Sequence, residues 1–180
     1  VSNTVLYCTI RSSLTTDAAK TLAQAFVGGR FDYCKSLLYG VSGELLRRLQ
    51  SVQNAAARFI TGTRKYDHIT PVLRSLHWLP VRQRIIFKIA TLMYRCLNGL
   101  APSYLAADCI VVSVIPGRRQ LRSATSGQLY IPRTRTVTFG PRSFKVCGPT
   151  IWNELPARTK DPSLSFDSFR KLLKTFLFDK

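Results

Sequence analysis

From Ser42 to Gly62 the chain reads Ser-Gly-Glu-Leu-Leu-Arg-Arg-Leu-Gln-Ser-Val-Gln-Asn-Ala-Ala-Ala-Arg-Phe-Ile-Thr-Gly. A serine able to accept bonds from free helix amides opens this stretch, and a glycine able to turn left-handed closes it. Between them Leu45, Leu49, Val52, Ala56 and Phe59 recur at alternating spacings of four and three, which places them on one face of a helix. Arg47, Arg48 and Arg58 fall away from that stripe. The apolar stripe is expected to face a core; two heptads are too few to argue a coiled coil.

Upstream, Thr15, Thr16 and Asp17 offer caps ahead of Leu22, Ala25 and Phe26, and Gly28-Gly29 stops that helix. A second short helix is expected over Phe31 to Tyr39, ending at Gly40. Downstream of Gly62 a polar, basic loop covers Thr63 to His68. Thr70-Pro71 predicts a short helix running to about His77, because proline at a first helical position loses no bond. His77-Trp78 reads as an aromatic hinge between helices. Pro80 opens the next helix, with Ile85, Ile89, Leu92, Met93 and Cys96 inward, and Asn98-Gly99 closes it. Pro102 starts one more helical turn.

From Asp108 the character changes. Residues 109–138 carry β-branched runs interrupted by Pro116-Gly117, Gly127 and Pro132, which predicts short strands or irregular loop. Gln128 to Ile131 and Thr136 to Phe139 are candidates for a hairpin around Pro132-Arg133-Thr134-Arg135. Helical signals return after Pro141 and after Ser165, the last helix placing Phe169, Leu172, Leu173 and Phe176 on one face. The expected class is mainly α with a small β or irregular part. The expected organisation is a helical part over 1–107 and a basic C-terminal part over 108–180 with a short hairpin and a terminal helix, the boundary lying between Tyr104 and Gly117.

Composition narrows the function classes. At 180 residues and 46% hydrophobic content the chain can bury a core. Its 27 Lys and Arg against 9 Asp and Glu give a formal charge of +18, which attracts polyanions, nucleic acid first. A membrane is not expected: the longest near-apolar run, Cys109 to Ile115, is too short to span, and no segment at the start has the pattern of a signal peptide. Beginning at Val1 suggests an internal piece of a longer protein. Five scattered cysteines without a Cys-x-x-Cys pair form neither a disulfide framework nor a zinc site, and Cys34 and Cys96 read as small buried thiols. A reducing, intracellular setting is expected.

Several motifs occur in a shared order. Arg30, Asp32-Tyr33-Cys34 and Ser36-Leu37-Leu38-Tyr39-Gly40 come first, then Leu49 to Arg58, Thr61-Gly-Thr-Arg-Lys65, Asp67-His-Ile-Thr-Pro-Val-Leu73 and Leu76-His-Trp-Leu-Pro-Val81 with Arg84. Leu97-Asn-Gly-Leu-Ala-Pro102, Pro132-Arg-Thr-Arg135, Phe139-Gly140 with Arg142 and Phe144, Trp152-Asn153 with Leu155-Pro156, Phe169-Arg170 and Leu177-Phe178 follow. Each is weak alone. In this order along nearly the whole chain they resemble the region downstream of the polymerase active site in LINE-type (non-LTR, jockey-like) retrotransposon reverse transcriptases. The resemblance implies a thumb and post-thumb region: a thumb-like helical bundle gripping template–primer, then a basic region binding element RNA or target DNA. It also implies RNA, DNA and the rest of the parent polymerase as partners, in a nuclear or cytoplasmic ribonucleoprotein.

The parent activity, RNA-directed DNA polymerisation, needs clustered aspartates holding two divalent ions, with magnesium the expected metal. Here no two acidic residues are adjacent, so no catalytic residue and no cofactor is assigned to this chain. His68 and His77 lack companions at ligand spacing, no nucleophile elbow occurs, and Gly62-x-Arg64-Lys65 lacks the glycines of a phosphate loop. Basic residues carry the stronger signal. Arg64 and Lys65 sit in the polar loop; Arg82, Arg84, Lys88 and Arg95 lie on the helix after Pro80. Arg118, Arg119, Arg122, Arg133, Arg135, Arg142 and Lys145 form a second group, with no acid between Cys109 and Asn153. Arginine suits bidentate phosphate contacts. Tyr130, Phe139 and Phe144 interleave, and read first as core aromatics and second as platforms for unpaired bases. Two alternatives stand beside the polymerase fragment: a stand-alone, co-opted basic module that binds nucleic acid, and a helical protein-interaction domain.

Overall fold

The computed structural model describes residues 13–25, 29, 35–114 and 127–180. Among these, seven α-helices form and no strand does: α1 (Thr16–Ala23), α2 (Gly43–Thr61), α3 (Ile69–Ser75), α4 (Val81–Leu97), α5 (Ser103–Ala106), α6 (Phe144–Glu154) and α7 (Phe166–Asp179). The mainly helical class is therefore the observed one. The chain divides into two compact units, one of Val1–Lys35 with Val41–Arg84 and one of Ser36–Gly40 with Ile85–Lys180. That division falls inside α4, upstream of the Tyr104 to Gly117 stretch expected from composition.

In the first unit the capping chemistry follows the sequence. Thr15 Oγ1 accepts from the Ala18 amide at 3.2 Å and Ser42 Oγ from the Leu45 amide at 3.4 Å, each meeting a helix donor that would otherwise lack a partner. Gly62 ends α2 at φ 72°, where its N–H reaches the Arg58 carbonyl at 2.8 Å. α1 and α3 both pack on α2. α3 begins two residues before Pro71 and ends in a Schellman pattern: His77 N–H to Arg74 O at 2.9 Å and Trp78 N–H to Leu73 O at 2.8 Å. The left-handed residue of that pattern is His77, at φ 54° and exposed to solvent, while Trp78 is half-buried. The expected aromatic hinge is thus a helix stop followed by one packed ring.

The face of α2 that meets the core takes in part of the expected stripe and is centred to one side of it. Gln53, Ala56, Ala57 and Ile60 are buried, Leu46, Leu49, Gln50 and Phe59 are half-buried, and Leu45 and Val52 are exposed. The most buried line, 46-50-53-57-60, lies one residue on from the expected line 45-49-52-56-59, which stays at its flank through Leu49, Ala56 and Phe59. Polar bonding accounts for it. Gln53 Nε2 donates to the Leu79 carbonyl at 2.9 Å, and the Val81 N–H donates to Gln50 Oε1 at 2.8 Å. These two glutamines fasten the segment leading into α4, so they must face inward.

In the second unit α4 presents Ile85, Ile89, Ala90, Met93, Tyr94 and Cys96 to the core, with Leu92 half-buried. Tyr94 stacks on Phe169 of α7 with centroids 4.5 Å apart, and Trp152 of α6 lies 6.0 Å from the same ring. Phe169, Leu173 and Leu177 are the fully buried line of α7, while Leu172 and Phe176 flank it half-buried. Gly148 lets α6 come close: a Cβ there would stand 2.5 Å from Met93 Sδ.

The expected hairpin does not form. Leu129 instead makes an isolated antiparallel bridge with Val111. The Val112 N–H reaches Gln128 O at 2.9 Å and the Tyr130 N–H reaches Ile110 O at 2.8 Å. Leu129's own N–H and C=O are both taken by the Asn153 side-chain amide, each at 2.9 Å. With both edges of residues 128–130 occupied, Thr136 to Phe139 has no ladder to join.

Candidate functional site

Exposed cations lie on helices and loops of both units, and two loop features, one in each unit, place them beside an exposed ring. The first is the turn from Arg64 to Asp67. The Asp67 N–H reaches Arg64 O at 3.2 Å, and Asp67 Oδ2 accepts from the Arg64 N–H at 3.1 Å. From α2, Arg58 Nε donates to Arg64 O at 3.3 Å and Arg58 Nη2 to Asp67 O at 3.2 Å. Arg64 and Lys65 therefore point outward from a turn whose carbonyls are held by a third cation. Their side chains have no partner among the described residues.

The second feature is the loop between Ile131 and Gly140. Its end folds closely on itself, because a Cβ on Gly140 would stand 2.5 Å from Thr134 Cβ. The Gly140 N–H donates to Thr136 Oγ1 at 2.9 Å, and Thr134 Oγ1 donates to Thr136 O at 3.3 Å. Everything from Arg133 to Phe139 is exposed. Arg133 and Arg135 have no partner among the described residues, and no acidic residue lies anywhere on the loop. Phe139 is 72% exposed, so it is not core, whereas Phe144 is half-buried at the start of α6. Tyr130 is partly exposed beside Ile131.

The other expected cations divide by what already holds them. Arg142 donates from Nε to Tyr39 O at 3.0 Å and from Nη2 to Leu37 O at 2.7 Å, and its guanidinium lies 5.8 Å from the Phe139 ring centre. It fastens residues 36–40 to the rest of the second unit, and the left-handed Gly40, φ 71°, brings its Cα against the Arg142 stem. Lys145 is ion-paired with Asp108 at 3.2 Å. On α4, Arg82 and Lys88 are exposed, Arg95 Nε donates to Leu100 O at 3.2 Å, and burial lowers the Arg84 guanidinium pKa. Arg118, Arg119 and Arg122 lie outside the described residues, as do Arg30, Asp32 and Cys34.

Sequence reasoning overlooked Tyr66, the aromatic in the middle of the first turn and 92% exposed. One ring within a run of otherwise polar residues, 61–68, was the signal available.

Among the described residues no three His, Cys, Asp or Glu side chains gather as metal ligands, and no helix is long and apolar enough to cross a membrane. Cys96, Cys109 and Cys147 are free thiols; burial pushes Cys109 up to about 12 and Cys147 to about 11, so both stay protonated near neutrality. A cleft of about 230 Å³ in the second unit borders Trp152, Lys160 and Pro162. Burial lowers the Lys160 pKa, and its Nζ donates to the Asn153 carbonyl at 3.1 Å. No family model, curated protein or solved structure matches the chain.

Proposed function

We propose that this chain is the non-catalytic thumb and post-thumb part of a LINE-type reverse transcriptase, and that it holds nucleic acid by its phosphates. The ordered series of motifs from Arg30 to Phe178 supports the parentage. The observation that carries binding is the second loop: Arg133 and Arg135, exposed and without a partner among the described residues, with Phe139 exposed on the same loop and no carboxylate on it. Guanidinium groups in that state release counterions when they meet phosphates, and an exposed ring is available to a base. RNA and DNA are the partners, the remaining polymerase supplies the chemistry and its magnesium, and the setting is a nuclear or cytoplasmic ribonucleoprotein. A co-opted module with the same surface would bind in the same way.

Affinity for structured RNA or duplex DNA is expected to fall by about 10³–10⁵ between roughly 50 and 200 mM salt if some 6–10 phosphates are contacted. Changing Arg133 and Arg135 to Ala should reduce the log–log salt slope by about 1.4 on single strands and about 1.8 on a duplex, with the circular-dichroism spectrum unchanged. A slope identical to wild type removes the loop from the interface. Salt-insensitive binding, or none at low salt, refutes the function. Exposed Leu45 and Val52 on α2 favour a protein-docking reading, and an apolar, salt-insensitive partner would support it.

A further inference from the structure

Among the described residues the largest aromatic surface left wholly to solvent in the first unit is Tyr66, at 92% exposure. Exposed rings are ordinarily side chains of pliable loops, where they can fold back. This one sits third in a four-residue turn closed by the Asp67 N–H to Arg64 O bond and capped by the Asp67 carboxylate on the Arg64 N–H. Arg58 grips the turn from below through both the Arg64 and Asp67 carbonyls. Thr61 and Thr63 hydroxyls, 2.6 Å apart, tie the approach to it, next to the left-handed Gly62. The backbone is thus braced at four bonds while the ring it carries touches almost nothing. Bracing of this kind lowers the ordering cost of any contact the ring makes.

The immediate neighbours say what that contact is. Arg64 and Lys65 precede the ring directly, both exposed and without side-chain partners among the described residues, and the carboxylate of the same turn, Asp67, is turned back onto the Arg64 amide. A flat apolar face beside two cations matches an unpaired base with its flanking phosphates. It does not match a base inside a duplex, whose faces are already stacked. We propose that the Arg64–Asp67 turn is a single-strand contact: Tyr66 stacks on one unpaired base, and Arg64 and Lys65 hold the phosphates on either side. The site deepens the nucleic-acid reading above and rests on it, but lies in the other unit from the Arg133–Phe139 loop. RNA and DNA share this chemistry, so the two strand types are separate arms of the test.

The test uses the full chain and short single-stranded RNA and DNA oligonucleotides carrying a central 2-aminopurine, whose fluorescence is quenched by stacking. Tyr66→Ala should weaken single-strand binding by roughly 5- to 150-fold and remove the protein-induced quench, while Tyr66→Phe keeps both near wild type. Affinity for a duplex of the same sequence should barely change. Arg64→Ala with Lys65→Ala should flatten the single-strand salt slope by about 1.4 and leave the quench at saturation intact. The melting temperature of Tyr66→Ala should match wild type, since the ring contributes almost no packing. If the wild type binds and Tyr66→Ala binds equally well in both arms, this inference fails alone and the ring serves another class of partner. If the wild type binds no nucleic acid at low salt, this inference and the proposed function fall together. Loss in one arm only upholds the site and identifies its strand.

Discussion

Replacing Gln53 by Met tests whether a polar clamp, and not a leucine stripe, sets the orientation of α2. Gln53 is 1% exposed and donates from Nε2 to the Leu79 carbonyl at 2.9 Å, while its Oε1 accepts from Gln50 Nε2 at 3.0 Å. Methionine keeps the unbranched length, so little cavity is created and the change isolates the hydrogen bond. Gln50 keeps Asn54 Oδ1 at 2.8 Å as an acceptor, so its amide is not stranded. Leu79, itself buried, has no such substitute: its carbonyl is left without the side-chain donor. A buried acceptor deprived of its donor costs roughly 1–3 kcal/mol, which for a chain of this size lowers the melting temperature by about 2–12 °C. Gln53→Glu should cost more, because it turns a carboxylate toward that same carbonyl. The assay is urea unfolding followed by tryptophan fluorescence. The chain has two tryptophans, Trp78 in the first unit and Trp152 in the second, so a Trp152→Phe background reports the first unit alone. Gln53→Met at or above wild-type stability would refute the clamp and return α2 to an orientation set by its apolar residues.

Two further substitutions test the frame that carries the candidate sites. Phe169→Ala should destabilise the second unit by about 3–5 kcal/mol in the same urea titration, now read at Trp152, because the ring is fully buried between Tyr94 and Trp152; a loss below 1 kcal/mol would mean that the stack is not the centre of that core. At His77, held left-handed at φ 54°, glycine should raise stability by up to about 1 kcal/mol and valine should lower it by about 1–3 kcal/mol, measured by thermal melting. Equal melting temperatures for His77→Gly and His77→Val would show that the left-handed stop of α3 is not formed.

Charge is the property on which the functional reading turns, and structure changes its meaning residue by residue. Arg58 and Arg142 look in sequence like any other arginine, yet each donates two bonds to backbone carbonyls and acts as a fastener. Lys145 is paired with Asp108, 37 positions earlier in the chain, a partner that no local spacing announces. What remains for a polyanion is a smaller set, in which Arg64 and Lys65 stand out by sitting on a braced turn and Arg133 and Arg135 by lying on a loop without a carboxylate. Exposed ion pairs such as Arg48–Glu44 or Arg170–Asp167 contribute little to the fold, roughly 0–1 kcal/mol each. Surface ion pairing therefore does not account for the excess of cations.

Helix starts, helix stops and the excess positive charge were readable along the chain because each depends on neighbours within about four residues: Ser42 and Gly62 bound α2, Ser165 caps α7, and Ile85, Ile89, Met93 and Cys96 face inward on α4. The rotated face of α2, the failed hairpin and the exposed rings needed the tertiary structure, because each was settled by a bond to something distant in sequence. Leu79 and Val81 turned Gln53 and Gln50 inward, Asn153 and Val111 took both edges of Leu129, and among the described residues Tyr66 and Phe139 stay mostly exposed. Local propensity decides where backbone bonds are made within an element. Which side chains are left for a partner depends on the long-range bonds that use up the others.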